Sequence, residues 1–192
     1  MRISSGEFKG RKIGKKKLFA GKGGRDDLRP TSAKVREAMF DILRNDLAGA
    51  SFLDLYAGSG TVGIEAASRG ADRIIFVEPV RSRAKAIEEI VGKIGLIDKA
   101  HVYCEQAGDF LKRAARSDER FDIIFADPPY DSDEIDKILP LIDEYGILND
   151  KGVVLVEHAR KKTVPEKTAA LSLKKQYRYG DTMLALYRKS TC

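Results

Sequence analysis

Short apolar runs alternate with amphipathic stretches along most of this 192-residue chain. The runs Ala50–Tyr56, Arg73–Val77, His101–Cys104, Phe121–Ala126 and Gly152–Glu157 have the length and apolar content of buried strands. Between them, Thr61–Arg69, Val80–Lys93, Gly108–Arg116 and Glu134–Glu144 read as helices; Ala84, Ile87, Val91 and Ile94 share one face of the second. An earlier helix is predicted over 33–46, entered at Pro30-Thr31-Ser32 and carrying Val35, Met39, Ile42 and Leu43 at helical spacing. Two closing strands, 171–179 and 182–188, meet at a turn on Gly180-Asp181. Strands that alternate with helices predict an α/β fold, a mostly parallel sheet with helices on both faces. Ligands of such sheets bind at the carboxyl ends of the strands, near the point where the strand order reverses.

Composition supports one domain: 43% of residues are apolar and 33% charged, which suits a folded core and not a disordered chain. The expected division is a basic extension over 1–30, rich in Gly and Lys with one or two short strands, and a main domain over 31–192. No apolar run approaches the roughly 18 residues that span a bilayer, and Met1–Lys17 lacks the apolar stretch of a secretory signal. Cys104 and Cys192 are the only cysteines and form no Cys/His cluster, so neither a disulfide framework nor a zinc site is expected. The expected compartment is the reducing cytoplasm, with Cys104 packed in the core and His101 and His158 structural. No metal is expected, and nothing demands more than a monomer. Charge is partitioned: residues 1–44 carry net +8, 45–156 net −8 and 157–192 net +6. Basic ends suit a polyanion such as nucleic acid, unless they are merely solvated. The acidic middle suits a cationic or neutral small ligand better than a phosphate.

The first core strand runs into Asp54-Leu55-Tyr56-Ala57-Gly58-Ser59-Gly60-Thr61-Val62-Gly63. Gly58, Gly60 and Gly63 match GxGxxG, with Glu78 ending the next strand, a pattern shared with dinucleotide sites. Asp54 shifts the balance. A carboxylate there would face a pyrophosphate unfavourably but would suit an ammonium group. S-adenosylmethionine offers an ammonium, a sulfonium, a ribose and no phosphate; Glu78 can accept from both ribose hydroxyls. The competing roles are loop bracing for Asp54 and interaction with the following helix dipole for Glu78.

Phe121–Ala126 runs into Asp127-Pro128-Pro129-Tyr130. Two prolines make a rigid extended turn that cannot continue a ladder. An exocyclic amine on a nucleobase is a poor nucleophile, because its lone pair is delocalised into the ring. Acceptors on both its hydrogens, the Asp127 carboxylate and the Pro128 carbonyl, would favour a pyramidal nitrogen and aim the lone pair at a methyl donor. Tyr130 could stack on the base, which must be unpaired or turned out of its helix to reach this turn. The competing reading is a strand-ending Asp, a Pro-Pro turn and a core tyrosine.

Asp54–Gly60 together with Asp127–Tyr130 resembles the Rossmann-like, class I S-adenosylmethionine-dependent methyltransferases that act on exocyclic amines. Nearly the whole chain, through MRISSGEFKGRKI, LRPTSAKVREAMFDIL, LDLYAGSGTVGIEAASRGA, FVEP, FDIIFADPPY and YGDTMLALY, is similar to the RsmD family, bacterial 16S ribosomal RNA guanine-N2 methyltransferases. The resemblance implies a seven-stranded, mostly parallel sheet with the last strand antiparallel, plus a small N-terminal β-hairpin. It implies S-adenosylmethionine as cofactor, S-adenosylhomocysteine as product and 16S rRNA as partner, within the 30S subunit or an assembly intermediate. It places the donor over Tyr56, Ala57, Gly58, Ser59 and Gly60, with Asp54, Glu78, Pro79 and Asp127 around it. Gln106 and Ala107 would meet the adenine, Gln106 standing where the family often has Asp; Tyr56 replaces the usual Phe. Arg29, Pro30, Thr31 and Arg36 match a motif that closes over this pocket. Asp127, Pro128, Pro129 and Tyr130 would form the catalytic turn. Lys9, Arg11, Lys12, Lys15, Lys16, Lys17, Arg36, Lys161 and Lys162 are candidate RNA contacts, which would position the RNA without reading it.

A DNA adenine-N6 or cytosine-N4 methyltransferase would share the tetrapeptide, but the chain is short for a separate target-recognition domain. A nicotinamide oxidoreductase is disfavoured by Asp54 and by Asp127–Tyr130. A non-catalytic RNA-binding assembly factor is disfavoured by the intact set Asp54, Glu78 and Asp127.

Overall fold

The structure, a computed structural model, describes residues 3–11, 32–130 and 132–190. Helix α1 (Ala33–Leu43) is followed by β1 (Ser51–Asp54), α2 (Thr61–Ser68), β2 (Arg73–Val77), α3 (Arg81–Ile94), β3 (Ala100–Tyr103), α4 (Ala107–Arg116), β4 (Phe121–Ala126), α5 (Glu134–Glu144), β5 (Leu148–Ala159), β6 (Leu171–Tyr179) and β7 (Thr182–Lys189). The seven strands form one sheet in the order β3-β2-β1-β4-β5-β7-β6. β3, β2, β1, β4 and β5 pair in parallel; β7 runs antiparallel to both β5 and β6. The chain builds β1, β2 and β3 outward, then returns to the other side of β1 for β4. The reversal therefore falls between β1 and β4, the position where open sheets of this kind bind ligands.

The central strands are apolar throughout because both their faces are covered. Phe52, Phe76, Phe125 and Leu155 pack with Val35, Met39, Phe40, Ile64 and Ile87 beneath α1, α2 and α3. Leu53, Ile75, Ile124 and Val154 pack with Phe110, Leu111, Ile138 and Ile142 beneath α4 and α5. Ser32 caps α1, its hydroxyl accepting the Val35 N–H at 3.2 Å, which explains the entry signal in the sequence.

Every residue of α2 is buried. Gly63 lets this helix lie against β2: a Cβ there would stand 2.3 Å from the Phe76 ring. Gly63→Ala is expected to lower stability by roughly 1–3 kcal/mol. A denaturant melt checks this; an unchanged midpoint would mean that the ring moves aside freely.

Several boundaries differ from expectation. α1 ends at Leu43, not at 46, and β5 spans Leu148–Ala159, well beyond the apolar stretch Gly152–Glu157. Its first residues, Asn149, Asp150 and Lys151, are too polar to read as strand from composition. The rest of the expected N-terminal hairpin, residues 12–30, lies outside the described residues, while residues 3–11 form turns closed by the backbone bonds Ile3 N–H to Arg11 O (3.1 Å) and Gly10 N–H to Ile3 O (3.0 Å). This segment belongs to the core. Ile3 and Phe8 are buried, and the Phe8 and Glu7 N–H groups donate to the Ser68 Oγ and carbonyl. Cys104 is exposed, not packed in the core, because it lies just past the end of the edge strand β3.

Glu65 of α2 is a second, polar anchor. Its buried carboxylate accepts from Arg36 Nε of α1 (2.7 Å), from Arg69 Nη2 (2.8 Å) and from the Ser4 hydroxyl. One carboxylate thus joins the chain start, α1 and α2.

Candidate functional site

Four parallel strands carry a carboxylate at or near their carboxyl ends. Asp54 is the last residue of β1, Glu78 and Asp127 directly follow β2 and β4, and Glu157 lies third from the end of β5. Parallel register sets these ends side by side, Asp54 opposite Phe76 and Phe125, and Ala126 opposite Val156.

Asp54 is buried, and its Oδ2 accepts the Gly63 N–H at 3.1 Å. Burial pushes its pKa up to about 7; the Gly63 N–H opposes this and the nearby Glu78 charge adds to it. The loop beyond it turns back on itself, with Gly60 N–H donating to Ala57 O at 2.7 Å. Gly58 and Gly60 have φ of 52° and 71°, the left-handed region that favours glycine. The Glu78 carboxylate is buried and accepts the N–H groups of Gly58 and Val80, each at 2.9 Å, with Arg83 Nη1 at 3.6 Å. Glu78 therefore meets the start of α3, which was the competing role weighed for it, and it also clamps the glycine loop. Tyr56 donates its hydroxyl to Glu134 Oε2 at 2.9 Å, tying this loop to α5; burial and the Glu134 charge push the phenol pKa up. The Ser59 and Thr61 hydroxyls lie 2.7 Å apart, Pro79 is exposed, and Gln106 stands exposed at the N-cap of α4 before buried Ala107.

The proline turn leaves Asp127 half-buried, Pro128 buried and Pro129 exposed. Pro129 O accepts the Ser132 N–H at 3.1 Å and its hydroxyl at 2.6 Å, closing the turn. The Tyr130 hydroxyl donates to Glu157 Oε1 at 3.0 Å and lies 3.2 Å from Thr182 Oγ1. Burial, opposed by the Thr182 bond and reinforced by the charges of Glu157 and Asp127, pushes its pKa up to about 12, so it stays a neutral donor. A cavity of about 170 Å³ opens beside it, and Ser32, Tyr130, Glu157, Asp181 and Thr182 are among the residues that line it. A larger groove of about 430 Å³ follows α3 and β3 past Ile97 and His101 but touches none of the four acids.

The fold brings Asp54, Tyr56–Gly60, Glu78, Pro79 and Gln106 to the same sheet edge as Asp127–Tyr130. It does not bring all the basic candidates there. Arg36 is buried against Glu65, so it is not a surface contact for phosphate. Lys162 is engaged with Asp136 at 2.7 Å and with the Ser132 carbonyl at 3.4 Å. Lys9 and Arg11 are exposed but lie by Ser68 and Ile94, the ends of α2 and α3 remote from the glycine loop; Arg11 sits over the Phe8 ring. Lys161 is exposed on the strap after β5. Lys12, Lys15, Lys16, Lys17, Arg29, Pro30 and Thr31 lie outside the described residues.

Glu157, Thr182 and Glu134 were not among the residues singled out by sequence. For Glu157 the signal was present: like Asp54, Glu78 and Asp127, it is an acid closing an apolar run, here GVVLVE. An acid at such a position gains nothing from the core, so its recurrence on four parallel strands singles out this edge as the candidate site.

This sheet order, with a single antiparallel strand and an acid-lined switch point, defines the class I S-adenosylmethionine-dependent methyltransferase fold. Residues 1–188 match the family described as "Conserved hypothetical protein 95", and the chain belongs to that family. It is 37% identical to "Putative rRNA methyltransferase YlbH" of Bacillus subtilis, over 98% of this chain and 99% of that protein. It is 29% identical to "Ribosomal RNA small subunit methyltransferase D" of Escherichia coli, over 98% and 90% of the two chains. The structure titled "Putative methyltransferase yhhF from Escherichia coli" superimposes with a TM-score of 0.83 at 29% identity, covering 100% of this chain and 99% of that one.

Proposed function

We propose that the protein transfers a methyl group from S-adenosylmethionine to the exocyclic N2 of a guanine in the 16S ribosomal RNA of the small subunit. The observation that carries this reading is the placement of Asp54, Glu78 and Asp127 on adjacent strand ends at the switch point, with the rigid proline turn beside them. Two relatives bearing rRNA methyltransferase names, each matched over 98% of this chain, support the choice of substrate class.

The residues present fit the cofactor. Two buried carboxylates suit its cationic end and its ribose, and Gly58 and Gly60 give the loop between them the left-handed backbone of a tight turn. When bound, the cofactor supplies an electrophilic methyl group. Asp54 would take the ammonium and Glu78 the ribose hydroxyls. The Asp127 carboxylate and the Pro128 carbonyl would accept the two amine hydrogens, holding the nitrogen lone pair in line with the methyl group. Asp127 would stabilise the charge that develops on that nitrogen as the methyl–sulfur bond breaks, and the proton displaced from the nitrogen would pass to Asp127 or to water. Pro128 and Pro129 keep the two acceptors in place without reorganisation.

Labelled methyl transfer tests the function directly. The substrates are 30S subunits and naked 16S RNA lacking the modification, with duplex DNA as control and nucleosides identified by mass. N2-methylguanosine in the rRNA is the expected product. Label confined to DNA as N6-methyladenine or N4-methylcytosine, or no transfer despite cofactor binding, would overturn the reading.

Asp54 gives a second expectation. With its pKa raised to about 7, it is substantially protonated in the free protein below neutrality. An ammonium partner favours the carboxylate, so cofactor binding at pH 6.5 is expected to release a proton, with affinity rising as pH passes through 7. Calorimetry in buffers of different ionisation enthalpy reads this. Proton release retained in Asp54→Asn would assign it to another group.

A further inference from the structure

We propose that Glu157 selects guanine by accepting the N1–H of its Watson–Crick edge. The proposal rests on the methyl-transfer function above and deepens it, because the tetrapeptide Asp127–Tyr130 cannot tell one exocyclic amine from another. Guanine N2, adenine N6 and cytosine N4 all present two N–H bonds to a pair of acceptors. What differs is the ring atom next to the amine on the Watson–Crick edge. In guanine it is N1, which carries a hydrogen; in adenine and cytosine it is N1 or N3, which carries a lone pair.

The structure places a second acceptor where that difference is felt. Phe125 and Leu155 are register partners on the α1 side of the sheet. Ala126 and Val156 are the next partners, so Asp127 and Glu157 each directly follow a paired residue at this sheet edge. Glu157 is only 4% exposed and contributes to the wall of the cavity next to Tyr130. Its Oε1 is fixed by the Tyr130 hydroxyl, and that hydroxyl also meets Thr182. Tyr130 is thus a positioning residue for the Glu157 carboxylate. An ionised carboxylate only accepts hydrogen bonds. With the amine held at Asp127, a guanine offers it N1–H, whereas an adenine or cytosine turns a lone pair toward it. In a site withdrawn from water such a mismatch costs far more than it would in solution. The position is fixed by β5 itself and not by a mobile loop, which suits a residue that must discriminate by one hydrogen.

The test uses small-subunit RNA in which the methylated guanosine is replaced by 2,6-diaminopurine riboside, assembled into particles where the enzyme requires them. This analogue keeps the N2 amine but has a lone pair at N1. The wild-type protein is expected to methylate it about a hundredfold less efficiently in kcat/KM than guanosine. Glu157→Gln can turn an amide N–H toward N1, so its preference for guanosine over the analogue is expected to fall below about tenfold, with cofactor affinity unchanged by calorimetry. Equal wild-type rates on the two RNAs would overturn the proposal. So would a variant that binds cofactor normally and keeps the wild-type preference. A variant that fails to bind cofactor through misfolding leaves the wild-type comparison to decide alone. Failure of the wild-type protein to methylate guanosine itself would overturn the underlying function as well, and that result is distinct from failure on the analogue.

Discussion

Asp127→Ala is expected to lower methyl transfer by about a hundred- to a thousandfold while changing cofactor affinity by less than about tenfold. The size follows from the role proposed for the carboxylate. A nitrogen conjugated with its ring becomes a competent nucleophile only when its hydrogens are held away from the line of attack, and it gains positive charge as the methyl arrives. A fixed acceptor aimed at that charge is stronger in the transition state than in the ground state, so its loss appears in kcat. Removal of one preorganised partner of this kind typically costs about 10²–10³ in kcat. Single-turnover transfer with saturating cofactor, beside a calorimetric titration, separates the two quantities. A kcat within about fivefold of wild type would exclude Asp127 from the reacting centre. A large loss of cofactor affinity with normal kcat would assign it to the cofactor instead. Asp127→Asn keeps one acceptor but presents a donor to the amine in some orientations, and should fall between the two.

The second large effect lies away from the site. Arg36→Ala is expected to destabilise the fold by about 3 kcal/mol, because it strips a partner from a buried carboxylate and leaves that charge undercompensated. Arg36 and Glu65 side chains are 4% and 0% exposed, so little screening by water reduces the effect. Arg69 still pairs with Glu65, which keeps the loss from being larger. For a chain of this size the midpoint of thermal unfolding should fall by roughly 6–12 °C. The pH dependence has a definite sign. Burial by itself raises the Glu65 pKa, but hydrogen bonds from Ser4, Arg69 and Arg36 outweigh it and hold the carboxyl below its ordinary value. A depressed carboxylate stabilises the fold above its unfolded pKa, and that stabilisation is lost as pH falls through the folded value. The destabilisation by Arg36→Ala should therefore be full at neutral pH and shrink in acid. An unaltered melting curve at pH 7 together with weakened RNA binding would instead return Arg36 to the surface contacts that its sequence motif suggested. Arg36→Met combined with Glu65→Leu should cost less than Arg36→Ala alone, since neither charge is then buried without its partner.

The buried Arg36 also bears on how RNA could reach the site. Lys9 and Arg11 stand by the carboxyl ends of α2 and α3, at the end of the sheet away from the glycine loop and the proline turn. Lys161 stands on the strap after β5, beyond the functional edge. A basic residue's place in the chain says little about its place on the surface, because each crossover helix carries the chain from one end of the sheet to the other.

The strand and helix pattern was legible because period and burial coincide. β2, β4 and α5 fall where their apolar runs and helical spacing put them, with identical ends. Gly63 was legible as part of a glycine pattern, but its reason, the Phe76 ring lying where a Cβ would go, appears only once α2 packs on β2. Cys104 was misjudged because a short apolar run does not say whether its strand is central or at an edge. Glu157 was overlooked although its position repeats that of Asp54 and Glu78, since one acid at the end of one strand carries no meaning until the strands are ordered.

The amino-acid sequence by itself determined the α/β class, the closing antiparallel pair, the glycine loop with Asp54 and Glu78, and the proline turn with Asp127. All of these are local, written in periodicity, glycine and proline positions, and the acid that ends a strand. Only the tertiary structure decided which acids share an edge, that Tyr130 is bound to Glu157 and Thr182, and that Arg36 faces Glu65 and not a phosphate. Those pairings join residues 27, 52 and 29 positions apart in the chain. They arise from strand order, register and helix packing, which bring distant residues together for reasons that no single segment contains.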